Sequence, residues 1–202
     1  MNEASPILVL ASASVARRRM LEAAGVPIDV DPANVDEAAV KESMVAGRAA
    51  PADIATALAE LKATQVSRRR HGLLVLGADQ VLACEGRLYD KPASMEAARA
   101  QLAALRGRTH HLVSAGVVAL DGARIWHHAS EARLTMRAVS DSFVDSYLAS
   151  VGEDACASVG AYQIEGRGVQ LFGAVQGDQF TIMGLPLLAL LAFLRDRGVL
   201  AS

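Results

Sequence analysis

Apolar residues along the chain fall into short unbroken runs and into helical stripes, and the two kinds alternate. Ile7-Leu-Val-Leu10 and Leu73-Leu-Val-Leu76 have no polar face, the pattern of strands buried on both sides. Ile28-Asp-Val30 reads as a further short strand. Ser12 and Ser14 precede a helix expected to reach Ala24, with Gly25 in the position that ends helices. Residues 31–50 carry no periodicity and read as a loop or a weak helix. Pro51 opens a helix toward Arg70, with Ile54, Leu58 and Leu61 at i, i+4 and i+7. Arg68, Arg69 and Arg70 place positive charge at its C-terminal end, and Gly72 breaks it.

The second apolar run predicts a strand ending at Leu76, so that Gly77-Ala78-Asp79-Gln80 sits at its C-terminal end. Val81-Leu82-Ala83 and Arg87-Leu88-Tyr89 flank Glu85-Gly86 and predict a small hairpin. Ser94 caps a helix over Met95–Leu105, ended by Gly107. Residues 109–120 and 123–135 predict a long hairpin across Asp121-Gly122. Ser140 caps a helix to Ser150, the glycine-rich stretch 158–184 is expected to be strand-rich, and Pro186 opens a last helix. The class is α/β, or mixed α+β, with a mixed sheet, in a single domain over 1–202 able to pinch into two lobes. No linker, repeat or low-complexity segment is visible.

Composition narrows the function. Of 202 residues 52% are hydrophobic, too many for a disordered chain. Twenty Lys and Arg against 22 Asp and Glu give a net charge of −2, which speaks against a dedicated nucleic-acid binder. The opening MNEASPILVLASAS has neither a basic n-region nor a long apolar h-region, so no signal peptide is expected. The longest apolar run, Leu185 to Leu194, is far short of the roughly 18–20 residues of a membrane span. Cys84 and Cys156 have no ligand spacing and read as thiols in a reducing cytoplasm.

Candidate chemistry gathers at strand ends. At the Ser12-Ala13-Ser14 junction, a helix N-terminus offers unpaired N–H groups and partial positive charge to an anion such as phosphate. The plainer alternative is an ordinary Ser14 N-cap with Arg17, Arg18 and Arg19 facing solvent. Three arginines so close to the positive end of a helix are unfavourable, which favours an anionic partner. No GxGxxG or GxxxxGK[ST] is present, which makes a Rossmann cofactor site a poor fit. Asp79, after an apolar strand, is either a turn residue or a metal ligand and base. Lys91 is held extended by Pro92, and is otherwise a surface lysine. Lys62, i+4 from Leu58, either snorkels or points into a cleft. Asp36-Glu37 is a pair of acids in the irregular segment, the kind that is usually solvated. His110-His111 and His127-His128 cannot chelate as pairs, because neighbours on a strand face opposite ways. A histidine-only zinc site fails. The remaining cations, hydroxyls and acids suit a phosphate ester or anhydride with a divalent metal.

In order along nearly the whole chain, these residues resemble the Maf family of nucleotide pyrophosphatases. LASASVARRRMLEAAG is similar to its LASxSPxRRxLL signature, Asp36-Glu37 to its DE pair, Lys62-Ala63 to its helix lysine and GADQV (77–81) to its (S/A)D(T/Q)V segment. Lys91-Pro92 resembles its GKP, Gly107-Arg108-Thr109-His110 its SGxTH, Gly160-Ala161-Tyr162 with Glu165-Gly166 its GAYxxxG, and Gly184-Leu185-Pro186-Leu187 its VGLPL. The resemblance implies a two-lobed Maf/inosine-triphosphatase-like fold, with flanking helices and a central cleft, often as a homodimer. It implies hydrolysis of nucleoside triphosphates to monophosphate and pyrophosphate with a divalent metal (Mg²⁺, or Mn²⁺ or Co²⁺). Asp79 would be the general base and, with Glu37, a metal ligand. Ser12, Ser14, Arg17, Lys62 and Lys91 would bind the substrate phosphates.

Three positions depart from the pattern: Val15 replaces proline, Ala16 an arginine or aromatic, and Asp90 a glycine. Gln80 and Glu165 match the branch acting on 7-methyl-GTP rather than the one acting on dTTP and UTP. A glutamate can accept from guanine N1–H and N2–H₂, and these two residues are expected to read a modified purine. The alternative from another class is a non-catalytic nucleotide-binding regulator linked to cell division.

Overall fold

A computed structural model describes residues 8–201. Ile7 and the N-terminal segment read above lie outside the described residues. The strands are β1 (Leu8–Leu10), β2 (Ile28–Val30), β3 (Leu74–Cys84), β4 (Arg87–Tyr89), β5 (Thr109–Leu120), β6 (Ala123–Met136) and β7 (Phe172–Gln176). The α-helices are α1 (Val15–Ala23), α2 (Glu37–Ala46), α3 (Pro51–Ser67), α4 (Met95–Leu105), α5 (Asp141–Val151), α6 (Gln179–Ile182) and α7 (Leu187–Asp196). The sheet order is β2-β1-β3-β5-β6-β7, with β4 on β3. β1 pairs in parallel with β2 and β3, whereas β4 and β7 pair antiparallel, so the sheet is mixed as expected.

The chain forms two compact units. The first holds residues 8–79, 114–130 and 184–201. Leu8, Val9, Leu10, Val75 and Leu76 are wholly buried in it, which explains their unbroken apolar runs. α3 covers these strands with Ile54, Leu58 and Val66, and α7 contributes Leu187, Leu190 and Leu194. The second unit holds residues 80–113 and 131–183, around Leu82, Leu102, Leu112, Leu134, Tyr147 and Leu171.

Three expectations are corrected. β3 does not stop at Leu76 but continues to Cys84, so Asp79 lies within a strand. Gly77 is a point of close approach rather than a break: a Cβ there would lie 2.1 Å from the Ala59 carbonyl oxygen and 2.6 Å from the Ala63 nitrogen of α3. Of the two readings of residues 31–50 the weak helix is the one found: α2 lies there, and with none of its residues buried it has no apolar stripe to read. α3 ends at Ser67, and Arg69 and Arg70 lie beyond it, paired with Asp31 and Asp29. Its buried stripe is Ile54, Leu58, Lys62 and Val66, with Leu61 turned toward solvent. The stretch 158–184 is not strand-rich. Two short 3₁₀ segments, Val159–Ala161 and Arg167–Leu171, lie in it, with β7 as its single strand and the short α6 behind. The long hairpin turns at Asp121 and Gly122 as expected, both at positive φ.

Candidate active site

The candidate residues of the first unit gather past the carboxyl end of β1, alongside the middle of β3, near where open α/β sheets place ligands. β1 ends at Leu10, and the Ala11 N–H donates to the Leu76 carbonyl oxygen at 2.8 Å. The chain then enters Ser12-Ala13-Ser14 while β3 runs on beside it. Ser14 caps α1 by accepting from the Arg17 N–H, so the plain reading of Ser14 holds locally. Ser12 is buried and accepts from the Ser14 N–H at 3.3 Å.

Arg17 turns back from α1 rather than facing solvent. Its Nη1 donates to Ser12 Oγ (3.0 Å) and to the Ala78 carbonyl (2.9 Å), and its Nε to the Gly184 carbonyl (2.8 Å). The guanidinium thus ties three separate segments beside the residue preceding Asp79. Gly184 lies at φ +102°, a conformation open to glycine, and an added Cβ there would press on the Arg17 guanidinium at 3.4 Å. These two carbonyl partners were missed in the sequence reading. The one signal for them was the Gly184 of the C-terminal motif. Burial draws the Arg17 pKa down, opposed by Asp79 and then Glu37, and an arginine so placed keeps its charge. Arg18 instead makes an exposed pair with Glu22 one turn on.

Lys62 projects from the buried face of α3. Its Nζ lies 2.6 Å from Asp79 Oδ1 and 2.9 Å from Glu37 Oε1. Lys62 and Asp79 are each only 7% exposed, and a buried charge of this kind is tolerated only when paired. Burial raises the Asp79 pKa, against the opposing pull of Lys62 and Arg17. Glu37, the first residue of α2, is half-exposed beside the Asp36 N-cap. Six expected site residues therefore come from one unit: Ser12, Ser14, Arg17, Glu37, Lys62 and Asp79.

The other three belong to the second unit. Gln80 donates from Nε2 to the carbonyls of Thr181 and Ile182, both at 3.0 Å. Lys91 is exposed between β4 and α4, and Glu165 is exposed among the 3₁₀ turns. Among the described residues no group of three or more His, Cys, Asp or Glu is placed to hold a metal ion. No helix of the described residues is long and apolar enough to cross a membrane.

The family model of Maf-like proteins matches residues 7–197. The chain belongs to the Maf family. A nucleoside triphosphate pyrophosphatase of Paramagnetospirillum magneticum is 58% identical over 95% of this chain and 99% of its own length. One of Granulibacter bethesdensis is 52% identical over 96% and 98%. A 7-methyl-GTP pyrophosphatase of Mesorhizobium japonicum is 51% identical over 96% and 97%. The Maf match spans both units, so the signature segments in the second unit lie within it as well as those around Asp79.

Proposed function

We propose that this Maf protein hydrolyses nucleoside triphosphates at the α–β anhydride, giving the monophosphate and pyrophosphate, with the whole chain acting as a single domain of that family. The observation that carries the reading is the buried Asp79 carboxylate, held by Lys62 at 2.6 Å beside the Arg17 hub at the N-terminus of α1. A protein that only bound nucleotide would have no use for a carboxylate buried at that cost beside a phosphate seat.

The residues take distinct parts. Ser12, Ser14 and the first N–H groups of α1 seat phosphate oxygens. Lys62 holds Asp79 before nucleotide arrives, and in the loaded site an Asp79 oxygen accepts a proton from water aimed at the α-phosphorus. A carboxylate whose pKa burial has raised is a better base than an exposed one. Lys62 and Arg17 neutralise charge developing on the departing pyrophosphate, and the family resemblance gives Lys91 a phosphate-binding part as well. Asp79 and Glu37 fit a divalent cation, because Mg²⁺ characteristically takes one or two carboxylates and fills its sphere with substrate phosphates and water. Mg²⁺, or Mn²⁺ or Co²⁺, when bound would supply Lewis-acid polarisation of the phosphoryl group. Gln80 and Glu165 support a preference for a modified purine such as 7-methyl-GTP. The family resemblance supports a homodimer, and thiols at Cys84 and Cys156 suit a reducing cytoplasm.

The test is a screen of canonical and modified nucleoside triphosphates with Mg²⁺ and Mn²⁺, reading pyrophosphate. Release of orthophosphate alone refutes the assignment, and a clear preference for dTTP and UTP over 7-methyl-GTP refutes the purine reading. Asp79→Asn should keep the fold and nucleotide binding while turnover falls about 10²- to 10⁴-fold. Undiminished turnover would remove Asp79 from the role of base.

A further inference from the structure

We infer that Lys62 is a resident substitute for the divalent cation: its ammonium fills the place between Glu37 and Asp79 until a polyphosphate draws it away, so that the protein takes up metal with the nucleotide and not alone. The inference rests on the pyrophosphatase reading and adds to it an order of binding.

The geometry is that of a bridge. One nitrogen sits 2.9 Å from Glu37 Oε1 and 2.6 Å from Asp79 Oδ1. A divalent cation held by these two carboxylates would need the space the ammonium now fills, since Mg²⁺ or Mn²⁺ would sit closer to an oxygen than an ammonium does, at about 2.1 Å. The ammonium cannot stay there while the ion arrives. Its position is not accidental, since Lys62 stands in the apolar stripe of α3 with Ile54, Leu58 and Val66. That stripe points the stem at β3, and burial leaves the ammonium dependent on the carboxylates.

Charge gives the order. Glu37, Asp79, Lys62 and Arg17 together sum to zero. Metal entering alone would bring two positive charges beside two cations that have little water to screen them. A triphosphate arriving with the metal brings the compensating negative charge and offers Lys62 new oxygens. Lysine suits such an exchange, because a compact ammonium on a flexible four-carbon stem can change partners without leaving the site. Glu37 can open to let this happen, being half-exposed on α2, a helix with no buried residue. Arg17 cannot make the same move, since three of its N–H groups are committed to Ser12, Ala78 and Gly184.

The experiment is a Mn²⁺ titration of the full chain, read by the electron paramagnetic resonance of free Mn²⁺ and corrected by the same titration of analogue without protein, so that no turnover is needed. Wild-type protein should bind Mn²⁺ weakly alone and about 10- to 100-fold more tightly with an α,β-methylene triphosphate, and Mn²⁺ should tighten the analogue by the same factor. Lys62→Met should bind Mn²⁺ alone about tenfold more tightly than wild type, and the gain from the analogue should shrink. Tight Mn²⁺ binding to wild type without nucleotide overturns the inference. So does Lys62→Met binding Mn²⁺ no better than wild type while its circular dichroism is unchanged. If that variant does not fold, the wild-type titrations with and without analogue decide. Failure of the pyrophosphatase reading is seen separately, as absence of pyrophosphate release by wild type.

Discussion

His110 is wholly buried in the second unit, with Nε2 2.7 Å from Tyr162 Oη and Phe172 also against its ring. Its Nδ1 is buried without a hydrogen-bond partner among the described residues. Burial, and to a lesser degree His111, lowers its pKa to about 4. The folded protein therefore keeps this imidazole neutral where the unfolded chain, with a pKa near 6.5, already binds a proton. Stability from this group is intact above pH 6.5 and is lost as pH falls from there to about 4, by about 3 kcal/mol in all. Urea midpoints at pH 7 and pH 5 should show a loss of about 2 kcal/mol in wild type, and a clearly smaller one in a His110→Phe, Tyr162→Phe double variant. An equal loss in both would place the acid sensitivity elsewhere. His110 and Tyr162 come from two separate motif segments, so part of the Maf pattern is packing and not phosphate chemistry.

At the scale of elements, the distance between β3 and α3 is set by Gly77. With no side chain there, the backbones of Ala59 and Ala63 come close enough for Lys62, next to Ala63, to reach Asp79, two residues along β3. Gly77→Ala should thus cost about 3 kcal/mol or more, since the clash is with backbone atoms that cannot rotate aside. Turnover should fall even in the fraction that folds. A thermal melt within a degree of wild type would show that the helix can retreat freely. What could be read in the sequence follows the same physics. Strands buried on both faces and helices with Ser14, Ser94 or Ser140 caps announce themselves, and each of these caps is present. α2 does not, because it buries nothing, and the 3₁₀ segments do not, because their short turns have no repeat to detect. Asp79 was legible as a candidate but not as a strand residue, because Gly77 signals a break and a close approach with the same letter.

At the scale of the molecule, neither unit is continuous in sequence. Three of the four passages between them fall inside strands, at 79/80 in β3, 113/114 in β5 and 130/131 in β6. The fourth, at 183/184, brings the chain back to the first unit just before α7. There Pro186 lies against Gly116 of β5, Phe193 stacks on Trp126 of β6, and Leu185, Leu187, Leu190 and Leu194 are buried. At about 1.5–3 kcal/mol per buried leucine, this segment carries stabilisation comparable to the whole net stability of a typical domain. A chain truncated after Met183 should therefore lack a cooperative unfolding transition, even though every expected site residue remains in it. A sharp melt from that fragment would show that the first unit closes without α7. The consequence reaches back to biosynthesis. During synthesis the nascent chain therefore carries every candidate site residue before α7 exists, and those residues can be set in place only once that helix has been made and has packed.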